Sequence, residues 1–416
     1  MTEIKKAGND AKYAYLKDNY GKNILPLSIF ENKDYPGSRP TELLIFYKKK
    51  ASLSEARESL FKTIEHYNLF SSRLIMIDEN KYALQYCREG FEYHVLPSID
   101  VASDEINIDD VKNKIKHVQT LPGEPLFAIT LIPIKDGILG GLSCSHAVGD
   151  VTSLMLFMFA WGCMHYGHDF PMPSNQRLFK GEPVRFETID RAFIPPLSEL
   201  NDEIQNRVKK TSDWKTYYKR ESFTETLLEG MKNKAKSENE NYVISNNQII
   251  NSILLKKYHE EIMPDTDNVR LRIPVNLRYI HPDIDASYIG NAVFSSVVEF
   301  EKNEIKKMSE YQIAYRIKQS IARMRNENYV KKIAYLSEYG IEYQGDIFKT
   351  LPPYNINTDI LSANLTHVND LESLGLGSDI GNIIFMSSTM QTIFTMLKEK
   401  KGMIFVEIQS RYPFKA

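Results

Sequence analysis

The stretch PLFAITLIPIKDGILGGLSCSHAVGDVTSLMLFMFAWG, residues 125–162, decides how this chain folds. Its first half predicts two strands joined by a tight turn at KDG, because apolar residues alternate there with smaller ones. The second strand ends at His146. The segment that follows, VTSLMLFMFAWGCMHYG, is apolar on nearly every side, which is typical of a buried helix, and Gly167 can cap its end.

His146 and, four residues later, Asp150 are the titratable side chains at this junction. A neutral imidazole, whose pKa is ordinarily about 6.5, accepts a proton at the pH of the cell and suits a general base. Such a base can take the proton of a hydroxyl or amine while that group attacks an acyl carbon. Asp150 either orients the ring or locks the loop through a salt bridge. By itself a His-x-x-x-Asp pattern is loose, and a hydrogen-bonded structural histidine is the alternative interpretation.

The rest of the chain repeats one theme of helices and strands on either side of a proline-rich stretch. Before this stretch, KASLSEARESLFKTIEHYNLF predicts a helix capped by Ser52, and IDDVKNKIKHVQT predicts a second amphipathic helix. After it, ISNNQIINSILLKKYHEE predicts a helix capped by Ser245, followed by strands and a long helix. With 416 residues, two domains are expected. We predict an α/β fold with a domain over residues 1–170, a crossover linker over 171–205, a domain over 206–416, and a cleft between the domains.

Composition limits the functional class. The net charge of -2 offers no basic field for nucleic acid or an anionic membrane, and no apolar run approaches the ~20 residues of a membrane span. Three cysteines form no disulfide framework, and the sequence MTEIKKAGNDAKYAYLKDNYG lacks the apolar core of a secretory signal. We therefore expect a cytoplasmic monomer that binds no nucleic acid and does not span a membrane.

Five segments, in the same order, resemble the BAHD acyl-CoA-dependent acyltransferases, within the wider superfamily of chloramphenicol acetyltransferases and peptide-synthetase condensation domains. SCSHAVGDVTS is similar to the family's His-x-x-x-Asp segment, and PLFAITLIPIKDGILGGLSCSH is similar to the paired strands before it. ARESLFKTIEHYNLFSSRL resembles the family's first helix and its YPLAGRL end. LRIPVNLRYIHPDIDASYIGNAV resembles VDxRxRxxPPLPxxYFGNA, and SDIGN, residues 378–382, lies where the family has DFGWG. The resemblance implies two chloramphenicol-acetyltransferase-like domains, each a mixed β-sheet flanked by helices, with the active-site channel at their interface.

The resemblance also assigns roles to single residues. His146 matches the family's general base. Asp150 matches a carboxylate that points away from the substrate and pairs with an arginine, for which Arg278 is the best match. Asp379, in SDIGN, belongs to a motif that the family uses structurally. Asp150 is therefore expected to brace the turn rather than to complete a catalytic triad.

The implied reaction is direct acyl transfer from a CoA thioester to the hydroxyl or amine of a small-molecule acceptor. His146 would remove the acceptor's proton and then protonate the departing thiol. A hydroxyl within SANLT would stabilise the tetrahedral oxyanion, which makes Ser362 and Thr366 the candidates. Acyl-CoA is then a co-substrate, and no metal or other cofactor is needed.

Departures from the family pattern indicate a divergent member and leave other functions open. Val151 replaces the glycine that usually follows the motif's aspartate, and Asn382 and Ile383 replace the Trp and Gly of DFGWG. One alternative is a free-standing condensation-type enzyme that takes acyl or peptidyl groups from a carrier protein. Another is a catalytically degenerate homologue that binds without turnover.

Two further patterns have a chemical and a structural interpretation. Cys163, His165 and His168 form C-x-H-x-x-H, which contains zinc-ligand residue types but has no fourth ligand in range. Cys144 precedes His146 by two residues and is either a nucleophile or, as we favour, a small buried hydrophobe. We therefore expect no metal site.

Overall fold

A computed structural model describes residues 24–27, 40–48, 51–78, 81–88, 90–174, 217–280, 284–326, 355, 357–366, 374–377, 380–386, 392–398 and 402–415. The chain divides into two compact units. Unit 1 contains Met1–Lys210, Asp283–Ala292 and Glu372–Ser388, and unit 2 contains Thr211–Pro282, Val293–Leu371 and Thr389–Ala416. Two short segments of the C-terminal half, Asp283–Ala292 and Glu372–Ser388, thus belong to unit 1, whereas the sequence prediction places both in the domain over residues 206–416. Most of the predicted linker, from residue 175 onward, lies outside the described residues.

The strands of the described part of the chain, in chain order, are β1 (Ile24–Pro26), β2 (Thr41–Tyr47), β3 (Ser72–Asp78), β4 (Lys81–Tyr86), β5 (Glu92–Val95), β6 (Phe127–Ile134), β7 (Gly137–Cys144), β8 (Tyr217–Phe223), β9 (Asn268–Asn276), β10 (Val293–Glu301), β11 (Asp359–Asn364), β12 (Ile380–Phe385), β13 (Thr392–Lys398) and β14 (Ile404–Ser410). The α-helices there are α1 (Leu53–His66), α2 (Ile108–Lys112), α3 (Val151–Tyr166), α4 (Glu225–Glu238), α5 (Asn246–Ile262), α6 (Lys302–Lys307) and α7 (Glu310–Met324).

Unit 1 contains a five-stranded sheet in the order β12-β2-β7-β6-β5 and a three-stranded sheet in the order β1-β4-β3. In the larger sheet β5 and β6 are parallel, and the other neighbours are antiparallel. Every residue of β7 is buried, so both faces of this central strand are covered. This strand ends at Cys144, two residues before the predicted end at His146, and it is held in the middle of the unit.

Unit 2 contains a six-stranded sheet in the order β10-β9-β11-β13-β14-β8. The β9–β11 and β11–β13 pairs are parallel, and the other pairs are antiparallel. Apolar side chains of α5, α7 and the sheet form one core cluster. Both units are thus mixed sheets with helices packed on them, which confirms the predicted α/β class.

The predicted buried helix is α3. It ends at Gly167, whose φ of 71° places it in the left-handed conformation that glycine adopts without strain. Burying one large apolar side chain stabilises a fold by about 1.5–3 kcal/mol. In α3, Leu154, Met155 and Cys163 point to different sides of the helix and are 0%, 4% and 6% exposed.

The second predicted helix, over residues 108–120, is wrong beyond Lys112, where α2 ends. The apolar positions of the pattern are still buried, namely Val111, Ile115 and Val118. Lys114 N still donates to Val111 O at 2.8 Å, but further along the backbone bonds to strand side chains. Lys116 N donates to Thr130 Oγ1 of β6 at 3.0 Å, and Val118 N donates to Ser143 Oγ of β7 at 3.1 Å. Apolar spacing predicted the burial correctly but not the backbone conformation.

The part of the chain that the structure describes holds no helix both long and apolar enough to cross a membrane.

Candidate active site

The turn after β7 carries His146, and Ser145 organises this turn. The Ser145 carbonyl oxygen accepts hydrogen bonds from Val148 N at 3.0 Å and Gly149 N at 3.3 Å. The Ser145 side-chain oxygen accepts one from Ala147 N at 3.1 Å. Because each of the three amides after His146 bonds to Ser145, the backbone that presents the imidazole is fixed.

His146 is half-buried, and its two ring nitrogens have different surroundings. Nε2 lies 3.3 Å from Oγ1 of Thr41, the first residue of β2. Nδ1 is buried and has no hydrogen-bond partner among the described residues. Burial lowers the pKa of His146 below its ordinary value, and the negative charge of Asp150 opposes part of this shift. The ring is therefore neutral at pH 7 and can accept a proton.

Asp150 is 2% exposed, and both of its carboxylate oxygens accept backbone hydrogen bonds. Oδ1 accepts from Ser153 N at 2.8 Å and so caps the N-terminus of α3. Oδ2 accepts from Ala292 N at 3.0 Å. Since Ala292 ends the segment Asp283–Ala292 that unit 1 receives from the C-terminal half, Asp150 ties this segment to the histidine turn.

Ser153 and Gly290 add further hydrogen bonds between the start of α3 and the segment Asp283–Ala292. Ser153 Oγ donates to Gly290 O at 2.8 Å and accepts from Gly290 N at 3.0 Å. Asp150 N donates to Gly290 O at 3.3 Å. At Gly149, an added Cβ would lie 2.5 Å from Ser153 Cβ, a distance that real Cβ atoms do not adopt. The close approach of the turn to Ser153 thus requires glycine at position 149.

Three of the predicted site residues lie in unit 2. Arg278 is 4% exposed in the 3-10 helix Leu277–Tyr279, where its backbone N and Nη1 donate to Asn276 Oδ1 at 3.0 and 3.2 Å. Ser362, in β11, is fully buried, and its Oγ has no hydrogen-bond partner among the described residues. Thr366 Oγ1 donates to Asn364 Oδ1 at 2.8 Å. Asp379 lies outside the described residues.

The two further cysteine patterns have structural surroundings. Cys144 is buried, and burial raises the pKa of its thiol, so the nucleophilic thiolate is disfavoured at neutral pH. Cys163 is buried in α3, and His165 Nδ1 lies 3.1 Å from Ser59 Oγ. His168 follows the end of α3. Within the described ranges, no three His, Cys, Asp or Glu side chains are grouped so as to hold a metal ion.

Sequence reasoning missed the hydroxyl residues that fix the strands of the site. Ser143 lies near the end of β7, Ser145 follows directly after the strand, and both bond to residues 118–120. Ser143 Oγ accepts from Val118 N, and Ser145 Oγ lies 2.7 Å from Thr120 Oγ1. Thr41 reaches His146 because it lies opposite Cys144 in the β2–β7 register. The available signal was the pattern Ser-x-Ser at the end of an apolar strand, since buried hydroxyls require partners.

Comparison with known proteins shows the family and the fold of the chain. A family described as the Transferase family matches residues 18–350, which is most of the chain. The chain belongs to this family, the BAHD-type acyltransferases. The BAHD acyltransferase DCR of Arabidopsis thaliana is 29% identical over 118 residues, which cover 25% of this chain and 24% of that protein. The malonyl-coenzyme:anthocyanin 5-O-glucoside-6'''-O-malonyltransferase of Salvia splendens is 24% identical over 327 residues, covering 68% of this chain and 66% of that protein.

The matches thus span between a quarter and two-thirds of the lengths of these BAHD relatives. Among solved structures, TRI101 of F. sporotrichioides, crystallised with coenzyme A and T-2, superposes with a TM-score of 0.69. The superposition covers 93% of this chain and 95% of that chain at 14% identity. This likeness confirms the predicted two-domain, chloramphenicol-acetyltransferase-like fold.

Proposed function

We propose that this protein transfers an acyl group from a CoA thioester to the hydroxyl or amine of a small-molecule acceptor, with His146 as the general base. The observation that carries the proposal is a neutral imidazole on a turn that is fixed by Ser145 and Asp150. Membership in the Transferase family supports acyl transfer as the reaction. The coenzyme A bound to TRI101 supports a CoA thioester as the donor.

In the proposed reaction, His146 Nε2 accepts the acceptor's proton as its oxygen or nitrogen attacks the thioester carbonyl. The carbonyl becomes a tetrahedral oxyanion. When this intermediate collapses, the carbon–sulfur bond breaks and His146 returns the proton to the departing thiolate. The products are the acylated acceptor and free CoA, so no metal or other cofactor is consumed.

The roles of the remaining predicted residues are part of the proposal. A buried hydroxyl with no partner among the described residues supports Ser362 as the oxyanion donor over Thr366, whose hydroxyl already donates to Asn364. The family resemblance supports the pairing of Arg278 with Asp150. Such a pair would brace the turn and leave proton transfer to His146.

The test measures free CoA and acylated products by mass spectrometry, with pooled acyl-CoA donors and pooled alcohol and amine acceptors. We expect the wild-type protein to consume acyl-CoA and His146→Ala to lose about 10²–10⁴-fold in rate, as for removal of a general base. Thermal unfolding of both proteins checks that the variant is folded.

A matched control is His94→Ala, because His94 is a half-exposed histidine of the same sheet, held by Glu92 at 2.8 Å. It should retain wild-type turnover. Near-wild-type turnover by folded His146→Ala would contradict the assignment of the base. Turnover only with carrier-protein thioesters would instead support the condensation-type alternative.

A further inference from the structure

The segment after α2, residues 113–121, crosses the face of β7 that leads to the histidine turn. An added Cβ at Gly141 would lie 2.4 Å from the Ile115 side chain, so this glycine makes room for the segment. Two residues further along β7, Ser143 Oγ accepts from Val118 N at 3.1 Å. Two residues beyond that, Ser145 Oγ lies 2.7 Å from Thr120 Oγ1. We call residues 113–121 the brace segment.

The brace segment reaches the turn through Ser145. The same Oγ that contacts Thr120 accepts the amide hydrogen of Ala147, the residue directly after His146. Displacement of the brace segment would therefore change the hydrogen bond that holds the turn.

Two charged pairs join the brace segment to strands of the sheet. Lys116 Nζ lies 4.0 Å from Oε1 of Glu92 in β5, and His117 pairs with Glu42 in β2. His117 Nδ1 lies 2.5 Å from Oε1 of Glu42, a carboxylate that is 4% exposed, and His117 Nε2 lies 2.8 Å from Lys112 O. Each ring nitrogen thus faces an oxygen acceptor, so the ring is an imidazolium when Glu42 is ionised. The same carboxylate oxygen accepts from Ser143 Oγ at 3.2 Å. The His117–Glu42 pair therefore links the brace segment to β2 and β7 together.

We propose that protonated His117 is a positioning residue for the acyl-transfer site, acting through Glu42 and the brace segment on the turn that carries His146. This inference rests on the proposed function for its kinetic consequence, but the linkage to the turn is a property of the fold. His117 is 40% exposed, so solvent protons reach it without unfolding of the unit.

The proposal predicts a pH dependence. The hydrogen bond to Glu42 raises the pKa of His117 above its ordinary value; burial and the charge of Lys112 oppose the shift, and the Glu42 charge adds to it. The ion pair is present below the raised pKa and is lost as the pH rises through it. His146 must be neutral to act, and its pKa is lowered. The pH–rate profile should therefore rise with an acidic limb from His146 and fall with an alkaline limb from His117.

The experiment compares His117→Ala and Glu42→Gln with His94→Ala, which removes a histidine paired with Glu92 but leaves Glu92 in place to contact Lys116 of the brace segment. For His117→Ala we expect kcat to fall about tenfold with KM little changed and the alkaline limb to disappear. For Glu42→Gln, the limb should move to lower pH, because His117 loses the charge that raises its pKa. His94→Ala should match the wild type. An unchanged alkaline limb in folded His117→Ala, or an unmoved limb in Glu42→Gln, would overturn the proposal.

Hydrogen–deuterium exchange supplies a readout that does not depend on turnover. In both brace variants, peptides that contain Val118 and Ala147 should exchange about tenfold faster, and peptides from α1 should not change. If the wild-type protein transfers no acyl group, the proposed function fails. Hydrogen–deuterium exchange then remains as the test of whether His117 and Glu42 hold the turn that carries His146. Unchanged protection of Ala147 in folded His117→Ala would then refute this role of His117.

Discussion

Asp150 allows two substitutions that differ by one interaction. Asp150→Ser keeps a side-chain oxygen for Ser153 N, because serine and aspartate cap helices about equally well, but it loses the oxygen that accepts from Ala292 N at 3.0 Å. Asp150→Ala loses both. A comparison of the two variants therefore separates the contribution of the helix cap from that of the hydrogen bond to Ala292, in the segment Asp283–Ala292.

The size of each effect follows from the burial of these groups. A buried N–H left without an acceptor costs about 1–3 kcal/mol, and loss of an N-cap costs about 0.5–2 kcal/mol. We expect loss of the Ala292 bond to lower the free energy of unfolding of unit 1 by about 1–3 kcal/mol in both variants, and loss of the cap to lower it by about 0.5–2 kcal/mol more in Asp150→Ala. Both variants also lose the proposed pair with Arg278, which adds the same ~3–5 kcal/mol to each and does not affect their difference. The difference of roughly 1 kcal/mol between the variants is the contribution of the cap alone.

Urea unfolding followed by the fluorescence of Trp161 measures these values. Trp161 is buried in α3, which Asp150 caps, and a Trp214→Phe background removes the second tryptophan of the chain. If the two variants unfold at the wild-type urea concentration yet lose turnover, Asp150 acts on His146 and does not brace the turn. If the two variants are equally destabilised, the cap contributes nothing, and the reasoning about Ser153 is wrong.

Two more expectations concern charged groups. The proposed pairing of Asp150 with Arg278 predicts that Asp150→Asn and Arg278→Gln each cost ~3–5 kcal/mol, and that the double variant loses less than the sum; strictly additive urea midpoints would exclude the pair. In unit 2, His259 is 4% exposed, its Nδ1 lies 2.8 Å from Leu255 O, and burial lowers its pKa. The unfolded state therefore binds a proton more readily, so the free energy of unfolding should decrease as the pH falls below about 6.5, by at most about 1.4 kcal/mol per pH unit. His259→Gln should weaken this dependence in unfolding measured between pH 7 and pH 5, and an unchanged slope would count against it.

Local signals in the sequence predicted helix ends well. Ser52 accepts from Glu55 N at the start of α1, and Ser245 forms a reciprocal capping box with Gln248 at the start of α5. These contacts join residues three apart, so residue type alone is informative. Gly167 ends α3 for the same reason, because a left-handed residue is a local requirement.

Contacts between distant parts of the chain were not predictable in this way. The β12 strand pairs with β2 across more than 300 residues, and the register that places Thr41 next to His146 follows from strand pairing. The brace segment shows the same limit. Its apolar residues are spaced as in a helix, but the hydroxyl of Ser143 binds its backbone, and that hydroxyl comes from a strand later in the chain.

The spacing of four between His146 and Asp150 has a geometric reason. β7 ends at Cys144 and α3 begins at Val151, so Asp150 occupies the one position from which its side chain caps the helix. His146 must directly follow Ser145, because the next three amides all bond to that serine. One residue more or fewer between His146 and Asp150 would break either the helix cap by Asp150 or the hydrogen bond from Gly149 N to Ser145 O. The aspartate of the motif is therefore kept at this distance by the helix it caps, and its charge acts on His146 through space, opposing the burial that lowers the pKa of the ring.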